Sequence, residues 1–163
     1  MSESRHDPSR DAQLPHAQSS EGQSSGAQPE RTLVLLKPDA VRRGLVGEIV
    51  GRYERKGLRI RAMQLRHVDA DLAAEHYAEH LGQPYYPAVE AFITSGPVVA
   101  LALEGENAIA IVRAMHGATD PARALPGTVR GDYSLSTRMN LVHASDSRQA
   151  AQRELSLWFG QDA

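Results

Sequence analysis

TLVLLKPDAVRRGLVGEIVGRYERKGLRIRAMQLRHV, residues 32–68, carries the pattern that decides the fold. Residues 32–36 are a short continuous apolar run, which fits a buried strand. Pro38 punctuates it, because the residue before a proline is pushed away from helical geometry. Val46, Ile49, Val50 and Tyr53 then recur at helical spacing with Gly57 placed to end the turn, so a helix is predicted over 46–56. From 58 to 68 the pattern changes to alternation, with Leu58, Ile60, Ala62, Gln64 and Arg66 on one face and Arg59, Arg61, Met63 and Leu65 on the other. That predicts a second strand.

The remainder extends the order. Asp69 or Asp71 can cap a helix running toward His80. A short helix starts near Pro87, a favoured first-turn position, and turns Val89, Phe92 and Ile93 inward. Residues 97–103 form an apolar strand after the Ser95-Gly96-Pro97 break. Asn107 then caps a helix with Ala108, Ile111, Val112 and Met115 on one face. Residues 116–138, with Gly117, Pro121, Pro126, Gly127 and Gly131, read as a long irregular loop, which tends to be functional inside a compact domain. A short strand over 139–142 ends at His143, and a helix over 147–159 carries Ala151, Leu155 and Trp158 inward. The expected class is α+β: a ferredoxin-like α/β sandwich whose four-stranded antiparallel sheet has helices on one face. Pattern alone also admits other α+β sandwiches.

Composition narrows the chemistry. The chain has 163 residues, enough for one domain with a core. Residues 1–29 are rich in Ser, Gln, Gly and Pro, with Leu14 almost their only large apolar side chain, and are expected to form a disordered tail ahead of a folded domain over 30–163. The tail has no apolar core of a secretory signal, and Glu3, Asp7, Asp11 and Glu21 argue against a mitochondrial presequence. No stretch is long and apolar enough to span a membrane, so a cytoplasmic protein is expected. There is no cysteine, which excludes disulfides and thiolate metal sites. A net charge of −2 gives no global attraction to nucleic acid.

The usual phosphate loops are absent: there is no GxxxxGK[ST], and Gly44, Gly47 and Gly51 do not form a GxGxxG turn. Phosphate chemistry would have to rest on side chains, and candidates cluster late: Arg113, Thr119, Arg130, Asn140, His143, Ser145 and Glu154, with Lys37 after the first strand. A neutral imidazole is a good nucleophile near neutral pH and needs a carboxylate on its other nitrogen to fix the tautomer. Glu154, on the helix after His143, can supply it. Two arginines and a threonine would clamp phosphate oxygens. Each residue alone also has an ordinary role: a strand-end surface histidine, a Ser145-Asp146-Ser147 helix cap, a solvated glutamate, surface ion pairs of little consequence.

Taken together, RTLVLLKPDAVRRGLVGEIV, KGLRI, EHYAEH, SGPVVALALEGENA, TDPARALPGTVRGDY, NLVHASDS and ELSLWF resemble the nucleoside diphosphate kinase family, from about residue 30 to 159. The resemblance implies ping-pong transfer of the γ-phosphoryl group of ATP or another nucleoside triphosphate through a phosphohistidine on His143, maintaining nucleoside triphosphate pools. It implies catalytic roles for His143, Glu154 and Lys37. Lys37 and Asn140 would bind the ribose hydroxyls, with Lys37 also near the transferring phosphate, and Arg113, Thr119 and Arg130 would hold phosphates. Tyr77 would pack beside the nucleophile, and His80 would add a phosphate contact. Tyr85, where Phe is common, would stack the base, with Val89 on the same helix side. Mg²⁺ would arrive on the nucleotide rather than in a protein cage. Assembly into a homo-oligomer is implied, a hexamer or tetramer built on a common dimer, with the hexamer preferred and the loop 121–127 supporting it. No membrane and no nucleic acid enters as a main partner. Ala144 departs from the family, which most often has Gly after the histidine; the loss of backbone freedom could perturb the loop, but a methyl group is the smallest possible change, and activity is expected to be retained. Two other classes stay open: a nucleotide-binding regulator that transfers phosphate poorly, and a nucleic-acid-binding ferredoxin-like module.

Overall fold

The computed structural model of the chain describes residues 29–160. Residues 1–28, nearly all of the expected tail, lie outside the described residues, as do 161–163. Four strands, β1 (Glu30–Leu36), β2 (Arg59–His67), β3 (Pro97–Gly105) and β4 (Val142–Ala144), form an antiparallel sheet in the order β2-β3-β1-β4. Helices α1 (Pro38–Arg42) and α2 (Val46–Lys56) join β1 to β2. Helix α3 (Ala70–His76), a 3-10 turn at Ala78–His80 and α4 (Tyr86–Ile93) lead to β3. Helices α5 (Ala108–His116) and α6 (Val129–Tyr133) lead to β4, and α7 (Arg148–Phe159) follows.

The helices cover both faces of the sheet, not one. Val34, Leu36, Val99, Leu101 and Leu103 pack against Ile49, Tyr53, Val112 and Val129 on one side. Leu33, Leu35, Val98, Ala100 and Ala102 pack against Ala73, Ile93, Leu155 and Trp158 on the other. Central strands covered on both sides carry continuous apolar runs, and residues 33–36 are fully buried. Each such side chain contributes about 1.5–3 kcal/mol of burial. Strand β2 lies at the edge, which explains its alternation; Met63 and Leu65 remain exposed there.

Helix α2 has the span its periodicity predicts, and Gly57 closes it at φ 93°. Asp69 caps α3 by accepting from the Leu72 N–H. Three expectations change. Asn107 precedes α5 in a left-handed conformation and makes no side-chain cap; the Glu30 carboxylate reaches across from β1 to accept from Ile109 N at 3.3 Å. The loop 116–138 contains α6, capped by the Thr128 hydroxyl. Strand β4 begins at Val142 rather than 139, because Leu141 has φ 73° and ends any extended run before it. This left-handed leucine costs about 1–3 kcal/mol. It is held by Lys37 N donating to its carbonyl at 2.8 Å and by its own N–H donating to Asp39 Oδ2 at 3.1 Å. His143 is thereby the middle residue of β4, opposite Leu35.

Gly131 in α6 is required by space: a Cβ there would collide with the Leu125 carbonyl. Gly131→Ala is expected to cost about 2 kcal/mol as overpacking against backbone. That lowers Tm by roughly 5–10 °C, which a calorimetric scan checks. Among the described residues no helix is long and apolar enough to cross a membrane.

Candidate active site

The end of β1, the C-terminal end of α5, α6 and β4 converge on a cleft of about 450 Å³. Lys37, His80, Arg113, Thr119, Arg130, Asn140 and His143 are among the residues that line it. Lys37 leaves β1 as the backbone turns at Pro38, and its Nζ donates to Asn140 Oδ1 at 2.6 Å. Asn140 is held in turn by donating from Nδ2 to the Thr137 carbonyl at 2.8 Å. Arg130 is buried, and its Nε, Nη1 and Nη2 donate to the carbonyls of Asn140, Gly117 and Val142. None of Lys37, Arg113 and Arg130 makes an ion pair among the described residues. Burial lowers the pKa of Lys37 to about 8, helped by the charge of Arg130 and opposed by Asp39. Arg130 is also shifted down, by burial and then by Arg113. A half-enclosed site whose three cations make no ion pair, and whose lining holds Asp146 as its one carboxylate, favours an anion.

Three histidines line this cleft, and their wiring separates them. His116 is 1 % exposed and its Nε2 is bonded to the Tyr53 hydroxyl at 2.7 Å. His80 stands at the exposed rim, its Nδ1 bonded to the Tyr85 hydroxyl at 2.8 Å. Only His143 has a carboxylate on one nitrogen: its Nε2 lies 3.2 Å from Glu154 Oε2. Burial acts to raise the pKa of Glu154, but the hydrogen bond and charge of His143, the Ser145 hydroxyl at 2.7 Å and His76 outweigh it, and the net shift is downward. An ionised carboxylate only accepts. The Nε2 of His143 therefore donates, and the lone pair is left on Nδ1.

Ser145 is more than part of a helix cap. Its hydroxyl donates to Glu154 and accepts from Leu33 N at 3.2 Å, tying the carboxylate to β1, while Ser147 caps α7. Tyr77, Tyr85 and Val89 do not line this cleft. Tyr77 follows α3 and packs on His76, Tyr85 reaches the cleft only through His80, and Val89 is half-buried on α4.

This is a cationic cleft around a histidine oriented by a buried carboxylate. Set beside known proteins, residues 30–163 match the sequence model described as nucleoside diphosphate kinase. The chain belongs to the nucleoside diphosphate kinase family. The nucleoside diphosphate kinase of Cutibacterium acnes is 63% identical over 130 residues, covering 80% of this chain and 94% of that protein. That of Mycobacterium avium is 61% identical over 131 residues, covering 80% and 96%. The solved nucleoside diphosphate kinase of Halobacterium salinarum, in complex with CDP, superposes with a TM-score of 0.80 at 48% identity, covering 82% of this chain and 89% of that one. The chain is accordingly a nucleoside diphosphate kinase, a nucleotide-binding phosphotransferase with the ferredoxin-like fold of its family.

In this nucleoside diphosphate kinase Ala144 sits in extended backbone, paired with Val34 in β4. Among the described non-glycine residues only Asn107 and Leu141 have positive φ. The methyl group therefore meets no conformational penalty there. Sequence reasoning passed over His76, Asp39 and His116. His76 stood beside Tyr77 in EHYAEH, and a polar residue on the buried stripe of α3 was its available signal.

Proposed function

We propose that this kinase transfers the γ-phosphoryl group through a phosphate carried on Nδ1 of His143. In the first half-reaction the Nδ1 lone pair attacks the γ-phosphorus of a nucleoside triphosphate. The bond from that phosphorus to the β–γ bridging oxygen breaks, and the nucleoside diphosphate leaves with the electron pair. In the second, a β-phosphate oxygen of another nucleoside diphosphate attacks, the N–P bond breaks, and the pair returns to Nδ1. The Nε2 proton stays on its nitrogen throughout, donated to Glu154, whose charge offsets the positive charge that develops on the ring. Lys37, Arg113, Thr119 and Arg130 would hold the phosphate oxygens, His80 would add a contact at the rim, and Asn140 with Lys37 would meet the ribose. Tyr85 and Val89 would border the base, and Tyr77 would pack near the nucleophile. The observation that carries this reading is the His143–Glu154 bond at the wall of a cation-lined cleft.

The donor set also fits Mg²⁺ that travels with the nucleotide. Lys37, Arg113 and Arg130 suit phosphate rather than a cation, and Asp146 at the rim is a lone carboxylate. Carried by the nucleotide, Mg²⁺ would supply charge neutralisation at its phosphates. The same proposal includes a cytoplasmic location and a homo-oligomer, a hexamer or tetramer of dimers. Exposed Met63 and Leu65 on the edge strand, and exposed Leu125 and Leu135 near the loop 121–127, support two kinds of self-contact. Sedimentation equilibrium reads the assembly directly.

Incubation with ATP and Mg²⁺ should leave an acid-labile, base-stable phosphate on the folded protein, discharged by added nucleoside diphosphate. Measurable ADP binding with turnover near background would favour a regulator instead. Lys37 adds a pH signature. Its proton leaves at about 8 in the folded chain against 10.5 for an ordinary lysine, so the unfolded chain binds more protons between those values. Stability of the nucleotide-free enzyme should therefore rise across that window, while affinity for ADP falls as the cleft loses a charge. Melting and ADP titrations across the window check the opposed trends, and Lys37→Met should flatten both.

A further inference from the structure

His76 ends α3 with 4 % of its surface exposed and belongs to no part of the cleft wall. Its ring meets the His143 ring at 4.7 Å between centroids and 79° between planes, and meets Trp158 on its other flank at 5.6 Å and 89°. Trp158 Nε1 donates to His76 Nδ1 at 3.2 Å. An indole N–H only donates, so Nδ1 carries no proton and a neutral His76 must carry it on Nε2. That Nε2 is buried and has no partner among the described residues. A stranded donor costs about 1–3 kcal/mol and asks for a reason.

Metal binding is not that reason. One ligand atom from each of His76, His143 and Glu154 lies within 4.8 Å of the others, which looks like a cation site. To ligate through Nε2, however, a neutral histidine would have to carry its proton on Nδ1, directly against the indole N–H. A different role follows from the shape. The second torsion of a histidine is broad and roughly two-fold, so neighbours must choose the ring orientation. A half-turn of His143 would exchange Nδ1 with a carbon and take Nε2 off Glu154.

We propose that His76 is a positioning residue for phosphoryl transfer. Its ring, edge-on to that of His143, holds the nucleophile in the orientation that keeps Nε2 on Glu154 and leaves Nδ1 for the cleft. Trp158 makes the arrangement one-way: with its proton fixed on Nε2, His76 offers no lone pair there to draw the His143 proton away from Glu154. Burial first, and then the charge of His143, depress the pKa of His76 to about 3, so no second cation forms beside the nucleophile. This inference rests on the reading of His143 as the phosphate carrier.

Two variants of the full chain separate ring from bond. His76→Phe keeps a ring and loses the acceptor for Trp158; His76→Asn keeps an acceptor near the place of Nδ1 and loses the ring. Phosphoenzyme formed after long incubation with ATP and Mg²⁺ counts competent sites, and the single-turnover rate is then taken per competent site. His76→Asn should lower that rate by about 10- to 100-fold, the scale of a small misplacement of a reacting group, with KM for ADP within roughly twofold. His76→Phe should stay within roughly threefold of the parent rate even though it melts lower, which a purely structural role would not allow. His76→Gln stands in if the Asn chain does not fold, with the same expected loss. A per-site rate in the amide variant within roughly threefold of the parent, or a Phe variant as slow as the amide one, overturns the proposal. Absence of any phosphoenzyme in the parent protein would instead remove the reading of His143 itself.

Discussion

His143→Asn is expected to lower turnover by about 10⁴-fold or more, the scale on which removal of a nucleophile acts. The reason lies in what the asparagine keeps and loses. Its amide can still donate toward Glu154, and the side chain it replaces is only half-buried, so the sheet and cleft should persist. What disappears is the ring lone pair, and no other histidine of the cleft is wired to replace it. His116 is enclosed and bonded to Tyr53, and His80 lacks a carboxylate partner. ADP affinity should stay within roughly threefold, since Lys37, Arg113 and Arg130 of the cleft are untouched. A coupled assay with ATP and a second nucleoside diphosphate, run beside equilibrium binding of ADP, checks both halves. Undiminished phosphoenzyme in the variant would mean that the phosphate travels on another residue.

The same residues explain how much of this protein could be read from its sequence. Residues 32–36 declared a buried strand because their apolar run is short and continuous, and α2 declared itself because its apolar stripe recurs at helical spacing and Gly57 ends it. Helices on one face were expected, since a run with no alternation does not say which of its neighbours comes from which side. The start of β4 was misread for a different reason. Leucine is a poor predictor of left-handed backbone, and only the tertiary bonds from Lys37 and to Asp39 put Leu141 there. Asn107 looked like a cap by type, but its conformation turns the side chain from that work and Glu30, distant in sequence, takes it over. In the site, the sequence could offer the pairing of His143 with Glu154, because a helix that follows a strand end and packs back on the sheet can bring together residues eleven apart. The ring contact of His76 had no such local trace: it depends on α3 and α7 meeting beneath β4.

Arg130→Met is expected to lower kcat/KM for nucleoside diphosphates by about 10²- to 10³-fold, the cost of removing a preorganised donor from developing phosphate charge. A guanidinium has five N–H groups. In Arg130 three of them serve the carbonyls of Asn140, Gly117 and Val142, which leaves a pair for an anion in the cleft. Those carbonyl bonds also fasten the end of α5 to the approach of β4, so a loss of activity by itself would not distinguish charge from tether. Lys37 supplies the distinction. Its pKa of about 8 is set by burial and next by the charge of Arg130. Removing that charge should move the Lys37 titration upward, and with it the pH at which the nucleotide-free enzyme begins to gain stability. Arg130→Lys, which keeps the charge but not the planar fork, should leave that pH near its parent position and still lose most of the catalytic efficiency. If the Met variant keeps its efficiency within roughly tenfold and the Lys37 window does not move, Arg130 is a tether between cleft walls and the phosphate is held by Lys37 and Arg113.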